Sequence, residues 1–161
     1  MGSEIMKNIK VSLNWREIFS AAEIGISRHI ESEKKGLKNK HGLNSYDGWR
    51  VNIEGAIGEL AYAKAMNKFW PMSVNTFKSI PDVDQEEIRT RSEDYYDLLV
   101  RDDDPDDRIY VLVTGKIPNF IVRGWMLGRD AKQTKWKKNY ANRPPAYFVP
   151  QAFLHDLNDI S

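Results

Sequence analysis

The chain has 161 residues, long enough to bury a core and short enough for one domain, and its 41% hydrophobic and 29% charged residues place it with folded globular proteins rather than disordered ones. It contains no cysteine, which excludes disulfides, thiolate nucleophiles and cysteine-ligated zinc or iron–sulfur centres. A formal net charge of +1 gives no global attraction to nucleic acid, so any such binding must come from locally segregated charge.

No apolar run approaches the roughly 20 residues that span a bilayer, and Met1 to Lys10 lacks the apolar centre of a signal peptide, so a soluble, cytoplasmic protein without membrane contact is expected. Asn14 with Glu17 three residues later forms a capping-box pattern. Ile18, Phe19, Ala22, Ile26 and Ile30 then recur at helical spacing, which predicts a helix from about Trp15 to Ser32 with these residues on its apolar face. The segment "EKKGLKNKHGLNSYDG" is polar, basic and broken by glycines; it reads as an exposed connector, or as an arm in which Lys34, Lys35, Lys38, Lys40 and His41 contact phosphates.

"DGWRVNIEGAIGELAYAKAMNKFW" returns to helical spacing, with Val51, Ile57, Leu60, Ala61 and Ala65 on a broad apolar face. Gly55, Ala56, Gly58, Ala61 and Ala65 are small enough to let a neighbouring element approach closely. Glu59 stands in that closely packed centre, where a charge is costly unless it faces a polar cleft; on an exposed stripe it would be unremarkable.

After Trp70-Pro71 the pattern becomes extended. Strands are predicted near Val74 to Val83, Glu87 to Arg91, Tyr96 to Arg101, Ile109 to Thr114 and Asn119 to Trp125, following one another as a meander. "DDDPDD", Asp102 to Asp107, has turn chemistry and lacks the glycine and terminal glutamate of an EF-hand. The segment from Gly128 is the most basic, with Arg129, Lys132, Lys135, Lys137, Lys138 and Arg143 interleaved with Trp136 and Tyr140, a composition suited to phosphate contacts and base stacking or to a solvated helix end. His29, His41 and His155 have no metal-ligand spacing and read as structural or exposed. "GAIGEL" lacks the lysine and spacing of a phosphate-binding loop.

The chemistry concentrates in "IPDVDQEEIRTR". A hairpin turn at Asp84-Gln85-Glu86 would bring Asp82 and Glu87 together, and two carboxylates that close are tolerated when a hard divalent cation, Mg2+ or Mn2+, lies between them. The period of two sends Glu87 and Arg89 to one face and Ile88 to the other. If Glu59 faces the same cleft, three carboxylates and one fixed cation surround room for a phosphate, which is a site able to hydrolyse a phosphodiester.

"GELAYAK" on a helix, then "PD", then "EIR" on a strand resembles the PD-(D/E)XK nuclease superfamily, the restriction-endonuclease-like fold, over roughly Val51 to Trp125. The later "VRGWMLGRDAK" is similar to the segment after the core strands in small phage and metagenomic proteins of this kind. The resemblance implies an α+β (α/β) domain with a central mixed sheet of about five strands and N-terminal helices packed on it. It implies one nuclease-like domain over 1–161, with an N-terminal helix and basic loop in 1–47, the core helix and sheet in 48–125 and a basic C-terminal segment in 126–161. Glu59 takes the place of the helix acid, Asp82 of the main metal ligand and Glu87 of the second ligand, and the backbone carbonyl of Ile88 faces the metal.

Arg89 stands where lysine is usual; it can stabilise charge or orient phosphate but cannot act as a base, which leaves Lys64, Lys78 or Lys132 to fill that role, with Gln133 as an added site contact. The implied activity is Mg2+-dependent (or Mn2+-dependent) hydrolysis of DNA by a phage-encoded protein in the host cytoplasm, with Lys38, Lys40, Lys132, Lys135, Lys137 and Lys138 on nucleic acid and a homodimer for cutting two strands. The alternative is a catalytically inactive nucleic-acid-binding or phage accessory protein that retains the fold; a third reading, an interaction scaffold with solvated acids, has no metal affinity.

Overall fold

A computed structural model describes residues 5–35, 45–74, 80–140 and 142–160. In chain order the elements are β1 (Ile9–Ser12), α1 (Trp15–Lys34), α2 (Ser45–Met66), β2 (Glu86–Arg91), β3 (Leu98–Arg101), β4 (Ile109–Lys116), β5 (Asn119–Leu127), the short α3 (Gly128–Ala131), β6 (Lys137–Lys138) and β7 (Ala146–Val149). The fold is mixed α+β. Among the described residues no helix is long and apolar enough to cross a membrane.

Helix α1 starts where its cap predicts: the Asn14 amide donates to Glu17 Oε1 at 2.8 Å and the Glu17 amide to Asn14 Oδ1 at 2.9 Å. Its buried face is not the one the large apolar residues suggest. Ala21, Gly25 and His29 are buried, with Ile18 and Ile24 packed against the core, whereas Phe19, Ile26 and Ile30 are exposed. Gly25 explains this. A Cβ there would lie 2.5 Å from Ile53 Cα, so the backbones of α1 and α2 meet at a distance that only the small side of α1 permits.

The strands do not form a meander. A four-stranded sheet has the order β1-β5-β4-β2, and a separate three-stranded sheet has the order β3-β7-β6. β4 and β5 form an antiparallel hairpin, but β2 runs parallel to β4, with Ile88 opposite Val111. A parallel pair needs a long crossover. Residues 92–108 supply it, and they carry β3 away to pair with β7, Leu98 opposite Val149. Of the predicted strand from Val74 to Val83, residues 75–79 lie outside the described residues, and Val83 makes only an isolated bridge to Glu86.

Burial along β4 accounts for the layering. Val111 and Val113 face α1 and α2 with Ala56, Ala61 and Tyr62, while Tyr110 and Leu112 face the second sheet with Leu98, Val100 and Val149. β4 is therefore apolar on both faces, as a strand covered on both sides must be. β2 closes one edge of the larger sheet and leaves its outer side free for the cleft described next.

Candidate active site

The free edge of β2 borders a cleft of about 510 Å³ whose walls include Glu59, Asp82, Glu87, Ile88 and Arg89. Alternation along β2 positions them. Glu86, Ile88 and Thr90 turn toward α2: Ile88 joins the helix-side core, and Tyr62 donates to Glu86 Oε1 at 2.5 Å. Glu87 and Arg89 turn to the opposite face, where the Arg89 guanidinium lies 5.0 Å from the Tyr110 ring centre.

Asp82 sits at the strand edge through the tight turn that follows it. The Val83 amide donates to Glu86 O and the Glu86 amide to Val83 O, with Asp84 in the left-handed region at φ 52°. The Ile88 amide donates to Asp82 Oδ2 at 2.8 Å. In an extended strand the N–H and C=O of one residue point to the same side, so the Ile88 carbonyl also leaves the sheet toward the edge that Asp82 occupies. Burial, and then the negative charge of Glu87, push the Asp82 carboxyl up to about 7. Two carboxylates thus face each other with too little positive charge between them.

Glu59 is buried and held from three directions. Arg28 donates to it through Nη1 at 2.7 Å and Nη2 at 2.9 Å, and the Trp70 indole donates to Oε1 at 3.0 Å. Burial raises its carboxyl, with Arg28 opposing and Asp82 adding to the rise. Arg28 is itself fixed by Nε donating to Ser73 O at 2.7 Å. Glu87 pairs with Arg108, and Arg89 Nη2 pairs with the buried Asp104 at 2.7 Å. Among the described residues, no three or more acidic or histidine side chains are grouped to hold a metal ion. The donors that fit one are Asp82, Glu87 and the Ile88 carbonyl, a partial oxygen set of the kind Mg2+ completes with water and substrate phosphate.

The cleft is also rich in arginine. Arg50, Arg101 and Arg143 line it, and among the described residues none has a carboxylate partner at ion-pair distance. Burial, and then the neighbouring Arg89 charge, lower the Arg101 pKa, with Asp104 and Asp103 opposing. Sequence reasoning missed Arg28, Arg50 and Arg101, whereas Arg143 belongs to the basic segment it singled out for phosphate contacts. For Arg28 a signal existed, since it adjoins His29 on the face that Gly25 turns inward.

The basic residues of the C-terminal segment are dispersed. Lys132 donates to Asp102 O at 3.0 Å, Asp104 O at 2.5 Å and Asp106 Oδ1 at 2.6 Å, and so holds the Asp102–Asp107 turn rather than facing the cleft. Lys135 lies 4.8 Å from the Trp136 ring centre, Lys137 pairs with Asp102 at 3.3 Å, and Lys138 borders an adjoining groove. Lys38, Lys40, His41 and Lys78 lie outside the described residues. Lys64 donates to Ser12 O at 2.7 Å and to Glu17, away from the cleft. Gln133 caps its own turn through Asp130 O at 2.9 Å, and is not on a long helix after the sheet. His29 packs tilted against Trp49, ring centres 4.2 Å apart, and His155 likewise against Trp125 at 4.8 Å, both structural. The chain matches no protein-family model, no curated protein and no solved structure at a significant level.

Proposed function

We propose that the chain is a metal-dependent nuclease of the PD-(D/E)XK, restriction-endonuclease-like kind, hydrolysing phosphodiester bonds in DNA at the β2 edge. The observation that carries this reading is the convergence of Glu59, Asp82, Glu87, the Ile88 backbone and Arg89 on one cleft that also holds Arg50, Arg101 and Arg143, none of them in an ion pair among the described residues. Acids that would bind a cation and arginines that would bind phosphates share one space.

Asp82 and Glu87, with the Ile88 carbonyl, would hold Mg2+ or Mn2+, which when bound supplies an acidified water and polarises a phosphoryl oxygen. Arg89 would orient the phosphate and offset the charge that builds on it; as a permanently protonated group it takes no proton. Glu59 would act from the wall, fixing Arg28 at the cleft rim, rather than as a direct ligand. Arg50, Arg101 and Arg143 would bind flanking phosphates. A homodimer stays part of this proposal, and sedimentation velocity at several concentrations tests it.

Calorimetric titration of Mn2+ into the wild type and Asp82→Asn, with cleavage assays on duplex, branched and single-stranded DNA, tests the enzyme. Metal binding and cleavage that are both lost in the variant support it. A second reading has its own observation: Glu59, Glu87 and Arg89 are each neutralised by an internal ion pair, with Arg28, Arg108 and Asp104. That pattern favours a nucleic-acid-binding protein that retains the site without turnover, and metal or DNA binding with no cleavage would select it.

A further inference from the structure

The cleft does not end at Arg101 and Arg143. A second groove of about 480 Å³ shares Arg91, Leu99, Arg101 and Arg143 with it and continues over the three-stranded sheet. This extension is built differently. Its walls carry Tyr95, Tyr96, Tyr140 and Phe148 beside Lys138. Tyr95 is 75% exposed and Tyr140 55% exposed, so these rings are not the underside of a core. Tyr140 meets Phe148 edge-on at 5.1 Å, and Tyr95 meets Tyr96 edge-on at 5.0 Å.

Arg91 connects the two spaces. Its guanidinium lies 4.2 Å from the Tyr96 ring centre and 5.7 Å from that of Phe148, and its Nη1 donates to Asp97 O at 3.0 Å. The side chain is thereby held between aromatic rings, at the boundary of the β2 cleft and the aromatic groove. Charge along the groove is one-sided: Lys138, Arg91, Arg101 and Arg143 stand against Asp97.

Exposed rings alternating with cations suit one ligand chemistry in particular. Duplex DNA offers phosphates but keeps its bases stacked on each other; an unpaired strand offers phosphates and free base faces together. From this juxtaposition we infer that the Tyr95–Tyr140 groove binds an unpaired strand of nucleic acid, stacking its bases on the exposed tyrosines while Arg101 and Arg143 guide its backbone to the β2 edge. The substrate class is then a single strand or a flap rather than an uninterrupted duplex. This inference rests on the reading of the β2 cleft as a phosphodiester site.

The test measures binding apart from cleavage. Fluorescence anisotropy in EDTA follows a labelled oligothymidylate and a duplex of equal length on the wild type, Tyr140→Ala, Tyr95→Ala and Tyr140→Phe. The single strand should bind more tightly than the duplex, each alanine variant should weaken it roughly tenfold, and Tyr140→Phe should keep most of the affinity because the ring face remains. Both tyrosines are exposed, and unchanged melting curves would show that the variants fold.

Equal affinity for the duplex, or alanine variants that bind the single strand as the wild type does, would overturn the inference. The nuclease reading would survive that result if Mn2+-dependent cleavage still required Asp82. Conversely, tyrosine-dependent binding of single strands without any cleavage would retain the groove and remove the enzyme. No binding of either oligonucleotide would likewise overturn the inference and leave the nuclease reading to the Mn2+-dependent cleavage assay.

Discussion

The Ile88 amide donates to the Asp82 carboxylate at 2.8 Å across the free edge of β2. One hydrogen bond of this kind ties an acid that precedes the strand to the backbone of the strand itself, and Glu87, one residue back, turns toward the same cleft. The pair therefore stores an electrostatic cost. Burial and the Glu87 charge both oppose ionisation of Asp82, and the Ile88 N–H and Arg89 only partly compensate.

That cost makes stability depend on pH in a predictable direction. The Asp82 pKa is raised from 3.8 to about 7 on folding, so the folded state keeps a proton that the unfolded state releases. The stabilisation is fully present below the unfolded value and is lost as pH rises through about 7. Asp82→Asn can still accept from the Ile88 amide and has no charge to desolvate. It should be more stable than the wild type above neutrality, by on the order of 2 kcal/mol, with the gap closing in acid. Adding Mn2+ should raise the wild-type Tm and leave the variant unchanged. Melting curves that run parallel for the two proteins from about pH 5 to about pH 8 would contradict this account.

Arg28 and Glu59 form the second coupled pair, and here the expected effect is large. Arg28→Ala would leave a buried carboxylate with the Trp70 indole as its remaining donor among the described residues. Breaking a buried pair from one side costs roughly 3 kcal/mol or more. Glu59→Gln should cost less, since the amide needs no counter-charge, and Arg28→Ala with Glu59→Gln should cost clearly less than the sum of the two. Urea unfolding measures all three, and strict additivity would show that the two residues are not energetically linked.

How much of this could be read from residues alone follows from the range of the interactions involved. The Asn14–Glu17 cap and the alternation of Glu87, Ile88 and Arg89 are local, and both stand where spacing puts them. The position of β3 is not local. Its residues have the same extended, apolar pattern as β4, and whether such a strand joins the next strand or crosses to β7 is decided by pairing over about 50 residues of chain, which no short window contains. The α1 face misled for a related reason: the large apolar residues dominate the periodicity, yet Gly25 decides which side can approach α2. Lys132 has a phosphate-contacting composition around it, but the carbonyls that claim it come from a turn some 30 residues earlier.

Arg89→Lys separates charge from geometry. The guanidinium currently divides itself between Asp104 at 2.7 Å and the face of Tyr110. An ammonium could keep a cation near either partner without the planar fork, so stability should fall by about 1 kcal/mol and cleavage should persist within roughly tenfold of the wild type. Arg89→Ala should lose cleavage and also leave the buried Asp104 unpaired. Single-turnover cleavage beside thermal unfolding reads both effects. Complete loss of cleavage in a well-folded Arg89→Lys would mean that two-pronged contact with phosphate is required.

Two glycines on facing helices should respond differently to the same substitution. At Gly25 an added Cβ meets Ile53 Cα at 2.5 Å and Asn52 O at 2.6 Å, both backbone atoms that can move only if α1 and α2 separate. At Gly58 it meets Thr90 Oγ1 at 1.8 Å, Thr90 Cγ2 at 2.6 Å and Thr90 Cβ at 2.7 Å, all in one short side chain. Each alanine should therefore destabilise by about 1–3 kcal/mol, with Gly25→Ala at the upper end. The second defect is partly repairable. Thr90 Oγ1 is buried without a hydrogen-bond partner among the described residues, so Thr90→Ala relieves an unsatisfied hydroxyl while it makes room. Gly58→Ala combined with Thr90→Ala should recover part of the lost stability, because the Thr90 Cβ that alanine keeps still lies 2.7 Å from the added Cβ, and Gly58→Ala with Thr90→Gly should recover more. No single side-chain truncation should do the same for Gly25→Ala, and a Thr90→Ala that failed to rescue Gly58→Ala in urea titration would show that α2 and β2 meet at a different register.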